Sequence, residues 1–255
     1  MKPPFHYRGA QRQQGVSLIE LMVGLTVGLI IVMAAGAMYI TNLLSARDTG
    51  ASLRLNSEVR MAMDVMIDEI RRAGYSPGNT PATNPFMAAG TDLRVNAAGT
   101  CVEFAYDANG NGVVDDGSGA APSEYFGFRI TNGILETRTG GTAALNDCNT
   151  GTWNQLTTPA FVTFSRTGST PYFSIGYQCM DATSNTPSTA SVAERCLTSA
   201  NSFNNLPSGT NTNLLETRTV TVSFTATSPV ESTFRAVAQQ SVWVRNNRVI
   251  PVQVP

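Results

Sequence analysis

The side chains able to do chemistry are few and unevenly placed. The only Lys is Lys2 and the only His is His6; beyond residue 15 every basic group is Arg. There, 240 residues carry 14 Arg against 18 acids, a formal charge of −4. With no imidazole and no side-chain amine, Ser-His-Asp or Cys-His nucleophilic catalysis, His-ligated zinc and Lys Schiff-base chemistry have nothing to run on. An acidic chain without Lys is also poorly suited to tracking phosphates, which argues against nucleic-acid binding as a main role. Carboxylates, amides and thiols remain.

Asp107-Ala108-Asn109-Gly110-Asn111-Gly112-Val113-Val114-Asp115-Asp116 places side-chain oxygens at alternate positions on a Gly-rich turn. A short loop of this kind can wrap a hard cation such as calcium. Its ligands would be Asp107, Asn109, Asn111, the backbone carbonyl of Val113, and Asp115, and repulsion among Asp107, Asp115 and Asp116 favours a cation there. The twelfth position, Glu in an EF-hand, is Ser118. The competing reading is a hairpin turn at Asn109-Gly110 or Asn111-Gly112 that needs no ion. Both stay open. An anchored hydrolase working through carboxylates would need two acids facing across a cleft, whereas Asp115 and Asp116 are adjacent.

Four cysteines, Cys101, Cys148, Cys179 and Cys196, allow three pairings. Cys101 with Cys148 and Cys179 with Cys196 is the favoured one, because the second pair would clip a polar loop with little core of its own. Without His or a Cys-x-x-Cys spacing, metal binding by these thiols is disfavoured.

The remaining reactive side chain is Glu20. Residues 1–14 are polar and basic, Gly15 stands alone, and an almost unbroken apolar run follows from Val16 to Ile40. At 1.5 Å per residue the run reaches roughly 37 Å, enough to cross a bilayer core of about 30 Å. The positive leader would stay cytoplasmic and the C-terminal part would be exported. A secretory signal cut at Ala35-Gly36-Ala37 and a permanent anchor both fit the run, but neither explains Glu20. A carboxylate inside an apolar segment costs about 2.5–3.5 kcal/mol on insertion scales, so it calls for a partner or a task.

Gly15-Val16-Ser17-Leu18-Ile19-Glu20-Leu21-Met22-Val23-Gly24 resembles the prepilin processing motif of type IV pilins and type II secretion pseudopilins. The resemblance implies cleavage by prepilin peptidase between Gly15 and Val16, methylation of Val16, and Glu20 as the acidic fifth residue of the mature chain. Val16 and Ser17 depart mildly from the family's usual Phe and Thr. Cleavage would leave an α-amine at Val16, and Glu20 on a neighbouring helix is its natural counter-ion in low dielectric.

The elements that must position these groups can be read from periodicity. Leu55, Val59, Met63 or Met66, Ile70 and Ala73 continue a helical stripe, with Arg60 and Asp64, and Asp68 and Arg72, spaced to pair at i, i+4. Gly74 and Pro77 end it, and only Gly50 interrupts residues 16–73, so one long helix is expected. Gly24, Gly28 and Gly36 supply small residues for close helix approach. Strands are expected over 100–106, 125–129, 134–139, 160–164, 172–178, 217–226 and 233–244. In the last two, Val220, Val222 and Phe224, then Val237 and Trp243, mark the half-buried face. Residues 75–99 and 181–213 read as surface loops.

The expected organisation is a leader (1–15), a membrane and assembly helix (16–44), its amphipathic continuation (45–74) and a β-rich exported head (75–255). The fold class is α+β, a long N-terminal helix packed on a mostly antiparallel sheet. The runs Cys101–Asp107, Tyr125–Arg129, Gly133–Glu136, Trp153–Thr157 and Val242–Asn246 resemble the PilW branch of minor pilins. That resemblance implies a non-enzymatic subunit that joins other minor pilins and the major pilin, works with the inner-membrane assembly platform to prime type IV pilus assembly, and sits at the fibre tip. It implies an inner-membrane, single-pass form with a periplasmic head, and an extracellular pilus form. A J-type pseudopilin, and a tip adhesin or DNA-uptake receptor, are the alternatives.

Overall fold

The computed structural model describes residues 15–80, 83–88, 90–141, 145, 148–181, 211–229 and 233–253. The chain divides into two compact units, Met1–Thr49 and Gly50–Pro255. A single helix, α1 (Leu18–Arg71, 54 residues), runs through Gly50 without a break. No Pro occurs between Pro4 and Pro77 to interrupt it.

In the first unit every described side chain is exposed. The hydroxyls of Thr26, Thr41 and Thr49 donate back to the carbonyls of Met22, Ala37 and Ser45 at 3.1, 2.9 and 2.8 Å. The helix thus satisfies its own polar groups, as a segment in lipid must. It contains a stretch long and apolar enough to cross a membrane.

In the second unit, Leu55, Val59, Ala62, Met63, Met66, Ile67 and Ile70 form one buried stripe of α1. On its surface Asp68 pairs with Arg71 at 3.5 Å and Glu69 with Arg72 at 3.4 Å. These are i, i+3 pairs, so the expected Asp68–Arg72 pair gives way to the neighbours one position closer. Beyond Arg71 the chain turns at Gly74, whose φ of +73° is a left-handed conformation that favours glycine. A Cβ there would also lie 2.7 Å from Met87 Cε.

The helix stripe packs on two antiparallel sheets. The first is a meander of β1 (Arg94–Val95), β2 (Cys101–Ala105), β3 (Tyr125–Thr131), β4 (Ile134–Gly140) and β5 (Thr152–Gln155), in that spatial order. The second is built around the 17-residue β8 (Asn211–Thr227). One side of β8 pairs with β6 (Thr163–Ser165) and β7 (Phe173–Asp181), the other with β9 (Arg235–Trp243) and β10 (Arg248–Gln253). Both sheets contribute to one core, in which Val102, Phe104, Phe128, Val220, Val222 and Phe224 meet the α1 residues. Tyr106 stacks on Phe126 with ring centroids 4.2 Å apart, and Phe164 meets Phe224 edge to face at 5.0 Å. One long helix against a largely antiparallel β head is an α+β fold.

Several local expectations need correction. Residues 75–99 are not a surface loop: they hold a 3-10 turn at Pro85–Met87 and strand β1, and bury Phe86, Met87, Asp92 and Leu93. Strand β8 begins at Asn211, inside the segment read as loop, because β10 pairs with its first six residues. Strands β1, β5 and β10 lack the apolar alternation that betrays a strand. On β9, Val237 and Trp243 point outward, 63% and 59% exposed. Opposite residues of an antiparallel pair share a face, so inward Val220 and Phe224 draw Val242 and Ala238 inward with them.

Candidate functional site

The segment from Gly15 to Gly24 opens α1. Ser17 accepts the Leu21 N–H at its carbonyl (3.1 Å), and the Glu20 carboxylate accepts the Ser17 N–H (3.2 Å). This is half of a capping box, an acid three residues in reaching back to the N-cap backbone. The carboxylate is thereby held in the first helical turn, beside the exposed Gly15–Val16 peptide. Beyond it, Leu18, Ile19, Leu21, Met22, Val23 and Leu25 are all more than half exposed. Apart from the helix's own backbone, no atom of the described residues lies within 4 Å of where a Cβ on Gly24, Gly28 or Gly36 would sit, so another helix could approach closely there. The arrangement offers an acid in the first helical turn at the head of an exposed apolar face.

The Asp107–Asp115 loop is wound round two buried carboxylates. Asp107 Oδ1 accepts the N–H groups of Gly110 (2.5 Å) and Asn111 (3.2 Å), and its Oδ2 that of Gly112 (2.7 Å). Glu124 accepts from Ala108 (2.7 Å) and Asp115 (3.0 Å). The side-chain amides of Asn109 and Asn111 donate to Asp115 Oδ2 at 2.6 and 2.9 Å, and Val113 donates its N–H to Asn111 Oδ1 at 2.8 Å. The five residues proposed from sequence are therefore neighbours, knitted together by internal hydrogen bonds. Among the described residues no three acidic, His or Cys side chains converge on one metal position. Glu124, the loop's inner post, carried no sequence signal, being nine residues beyond Asp115.

Cys101 and Cys148 are joined by a disulfide, Cα–Cα 6.4 Å. Cys179 is also disulfide-bonded; Cys196, its expected partner, lies outside the described residues. Beside the first bridge, Glu103 accepts from Arg138 Nη1 (2.7 Å) and from the Cys148 N–H (2.9 Å). Glu103 and Arg138 side chains are 0% exposed. Arg138 also lies 5.3 Å over the Tyr125 ring. A second buried pair joins Arg218 to Asp92, and Arg218 Nη2 donates to the Asn246 carbonyl at 2.7 Å. Asn246 in turn donates to the Arg72 and Ala73 carbonyls, tying the end of α1 to the β9–β10 connection. None of these pairs was legible from spacing, since the partners come from distant strands.

Among the described residues, clefts open on the head. One, of about 430 Å³, is lined by Met87, Asp92, Arg94, Tyr177 and Arg248 among others. A second, of about 500 Å³, lies among Arg71, Arg72, Tyr75, Tyr106, Asp107 and Arg245. In the second, burial and a hydrogen bond to Glu69 push the Tyr106 phenol up to about 12. Asp92 in the first cleft is paired with Arg218, and Asp107 in the second accepts backbone N–H groups.

Comparison with known proteins agrees with this layout. The family described as prepilin peptidase-dependent protein B matches residues 48–244, and the prokaryotic N-terminal methylation motif matches residues 10–36. The prepilin peptidase-dependent protein B of Escherichia coli (strain K12) is 28% identical over 152 residues, 58% of this chain and 72% of its own length. No solved structure matches the chain. A methylation motif at the head of an apolar helix, followed by a family match across most of the β head, makes this pilin-like chain a member of the prepilin peptidase-dependent protein B family.

Proposed function

We propose that the chain is a minor pilin, an assembly subunit rather than a catalyst. It is held in the inner membrane by residues 16–44, with the amphipathic continuation (45–74) and the head (75–255) on the periplasmic side, until it is drawn into a fibre with other minor pilins and the major pilin. Prepilin peptidase removes residues 1–15, Val16 is methylated, and the assembly platform adds the mature chain to the growing tip. The observation that carries this reading is the pairing of one acid, Glu20, with a helix whose apolar face is exposed among the described residues. Before assembly the carboxylate caps its own Ser17 N–H. In the fibre the new ammonium of a neighbouring subunit replaces that weak partner, and two costly buried charges are relieved together. The head resemblance supports the PilW branch; a J-type pseudopilin would use the same first turn.

Two measurements test it. Mass spectrometry of the detergent-extracted protein should find a chain that begins at methylated Val16; a start at Met38 would mean ordinary signal cleavage and end the proposal. Glu20→Ala should be processed normally yet lose most of its co-purification with other pilins, and unchanged recovery would remove the ion-pair mechanism. Within this reading, calcium held by Asp107, Asn109, Asn111, the Val113 carbonyl and Asp115 would be an ion-bound form of a loop that also closes on its own hydrogen bonds.

A further inference from the structure

Strand β9 has an open edge among the described residues, where it pairs with β8 alone. Val244 donates its N–H to the Arg218 carbonyl and Ser228 to the Phe234 carbonyl, both at 3.0 Å. In the same register, Ala236, Ala238, Gln240 and Val242 turn their backbone groups toward β8. By antiparallel alternation, Arg235, Val237, Gln239, Ser241 and Trp243 direct theirs the other way, into solvent.

The other outer strands are protected. Strands β1, β5 and β6 have two, four and three residues. Strand β10 carries Pro251, and the outer side of β7 begins with Phe173 donating to the Gly99 carbonyl. Strand β9 has nine residues, no Pro, no Lys and a single charge at its first position. Exposed edges are normally blunted by these very devices, so an unguarded one is a template for another strand.

We propose that this edge pairs with the β9 edge of a second copy of the chain, antiparallel, about a twofold axis at Gln239. This register alone overlaps all nine residues. It sets Gln239 opposite Gln239, Val237 opposite Ser241, and Arg235 opposite Trp243 at both ends. Their side chains share the exposed face, so each guanidinium meets an indole that is otherwise 59% exposed. A slide in either direction breaks both Arg–Trp pairs, and centring the pair on Arg235 opposes like charges. The contact is isologous and closes at two copies. It is independent of the pilin reading, since it needs only the head.

The test uses the full-length chain in detergent. In the proposed register the two Gln239 Cα atoms form a hydrogen-bonded pair about 5.5 Å apart, within reach of a disulfide. Gln239→Cys should therefore give a covalent dimer under mild oxidation. Ser241→Cys should not, because the two copies of that residue lie roughly 14 Å apart along the strands. Gln239→Pro removes an outward N–H and leaves every bond to β8 in place, so the monomer should stay folded while self-association weakens by about tenfold or more. A wild-type chain that stays monomeric at high concentration, equal cross-linking at 239 and 241, or a Gln239→Pro dimer as tight as wild type would each overturn the proposal. The last result would place the contact on α1 instead.

Discussion

Glu103→Ala should be among the most damaging single substitutions in the head. Its carboxylate is fully buried and serves two donors, the Arg138 guanidinium at 2.7 Å and the Cys148 N–H at 2.9 Å. Removal takes a carboxylate partner from a guanidinium with 0% side-chain exposure, a loss of up to about 3–5 kcal/mol. It also orphans a buried N–H, at about 1–3 kcal/mol. Arg138 cannot easily swing away: a Cβ on Gly151 would lie 2.5 Å from its Nε, which shows how closely backbone encloses the guanidinium. The two losses share a site and add incompletely, so a net loss of about 5 kcal/mol is expected. For a unit of about two hundred residues that lowers Tm by about 10–20 °C. The assay is urea titration of the full chain in detergent, read by the fluorescence of Trp153, the cross-strand partner of Arg138. Glu103→Leu combined with Arg138→Met should recover part of the loss, because no guanidinium is then buried beside a missing carboxylate. If Glu103→Ala costs under about 1 kcal/mol, or the double variant is no better than the single, the buried-charge reasoning is wrong.

Three further outcomes follow from the same geometry. The Tyr106 phenol ionises near 10 when unfolded and at about 12 in the head, so its contribution to stability is complete below pH 10 and fades as pH climbs through 12. Tyr106→Phe should flatten the decline of stability between those values, and an unchanged alkaline melting profile would refute it. Because backbone N–H groups already fill the Asp107 and Glu124 carboxylates, chelation should move the melting temperature of the full chain by less than about 2 °C, whereas a loss of several degrees would show that the ion-bound form of the loop dominates. Gly74→Ala should cost about 1–2 kcal/mol from its left-handed backbone. A melt matching wild type would mean that the end of α1 can re-form with a different turn.

How much could be read from the chain depended on whether a signal was local. The helix was legible because Leu55, Val59, Met63, Met66 and Ile70 repeat at its period and nothing breaks it until Gly74. Val220, Val222 and Phe224 exposed β8 in the same way. Strand β9 was found but faced backwards: Ala-Val-Ala-Gln-Gln-Ser-Val-Trp carries apolar residues at both parities, and only its pairing with β8 decides between them. Residues 75–99 looked like loop because their apolar content, Phe86, Met87 and Leu93, is sparse and aperiodic. Their burial comes from tertiary neighbours. The Asp107–Asp115 cluster was visible as a sequence pattern, but its inner support, Glu124, was not. The Asp92–Arg218 pair joins residues 126 positions apart, a distance over which no spacing rule operates.

The bridge joins Cys101 to Cys148 across a sequence separation of 47, closing a loop that holds strands β3 and β4 and the whole Asp107–Glu124 excursion. A protease that nicks that excursion would therefore leave a single covalent molecule. The break would show on a gel only after reduction, and a clipped head could keep its shape and its place in a larger structure with the wound invisible until a thiol is added.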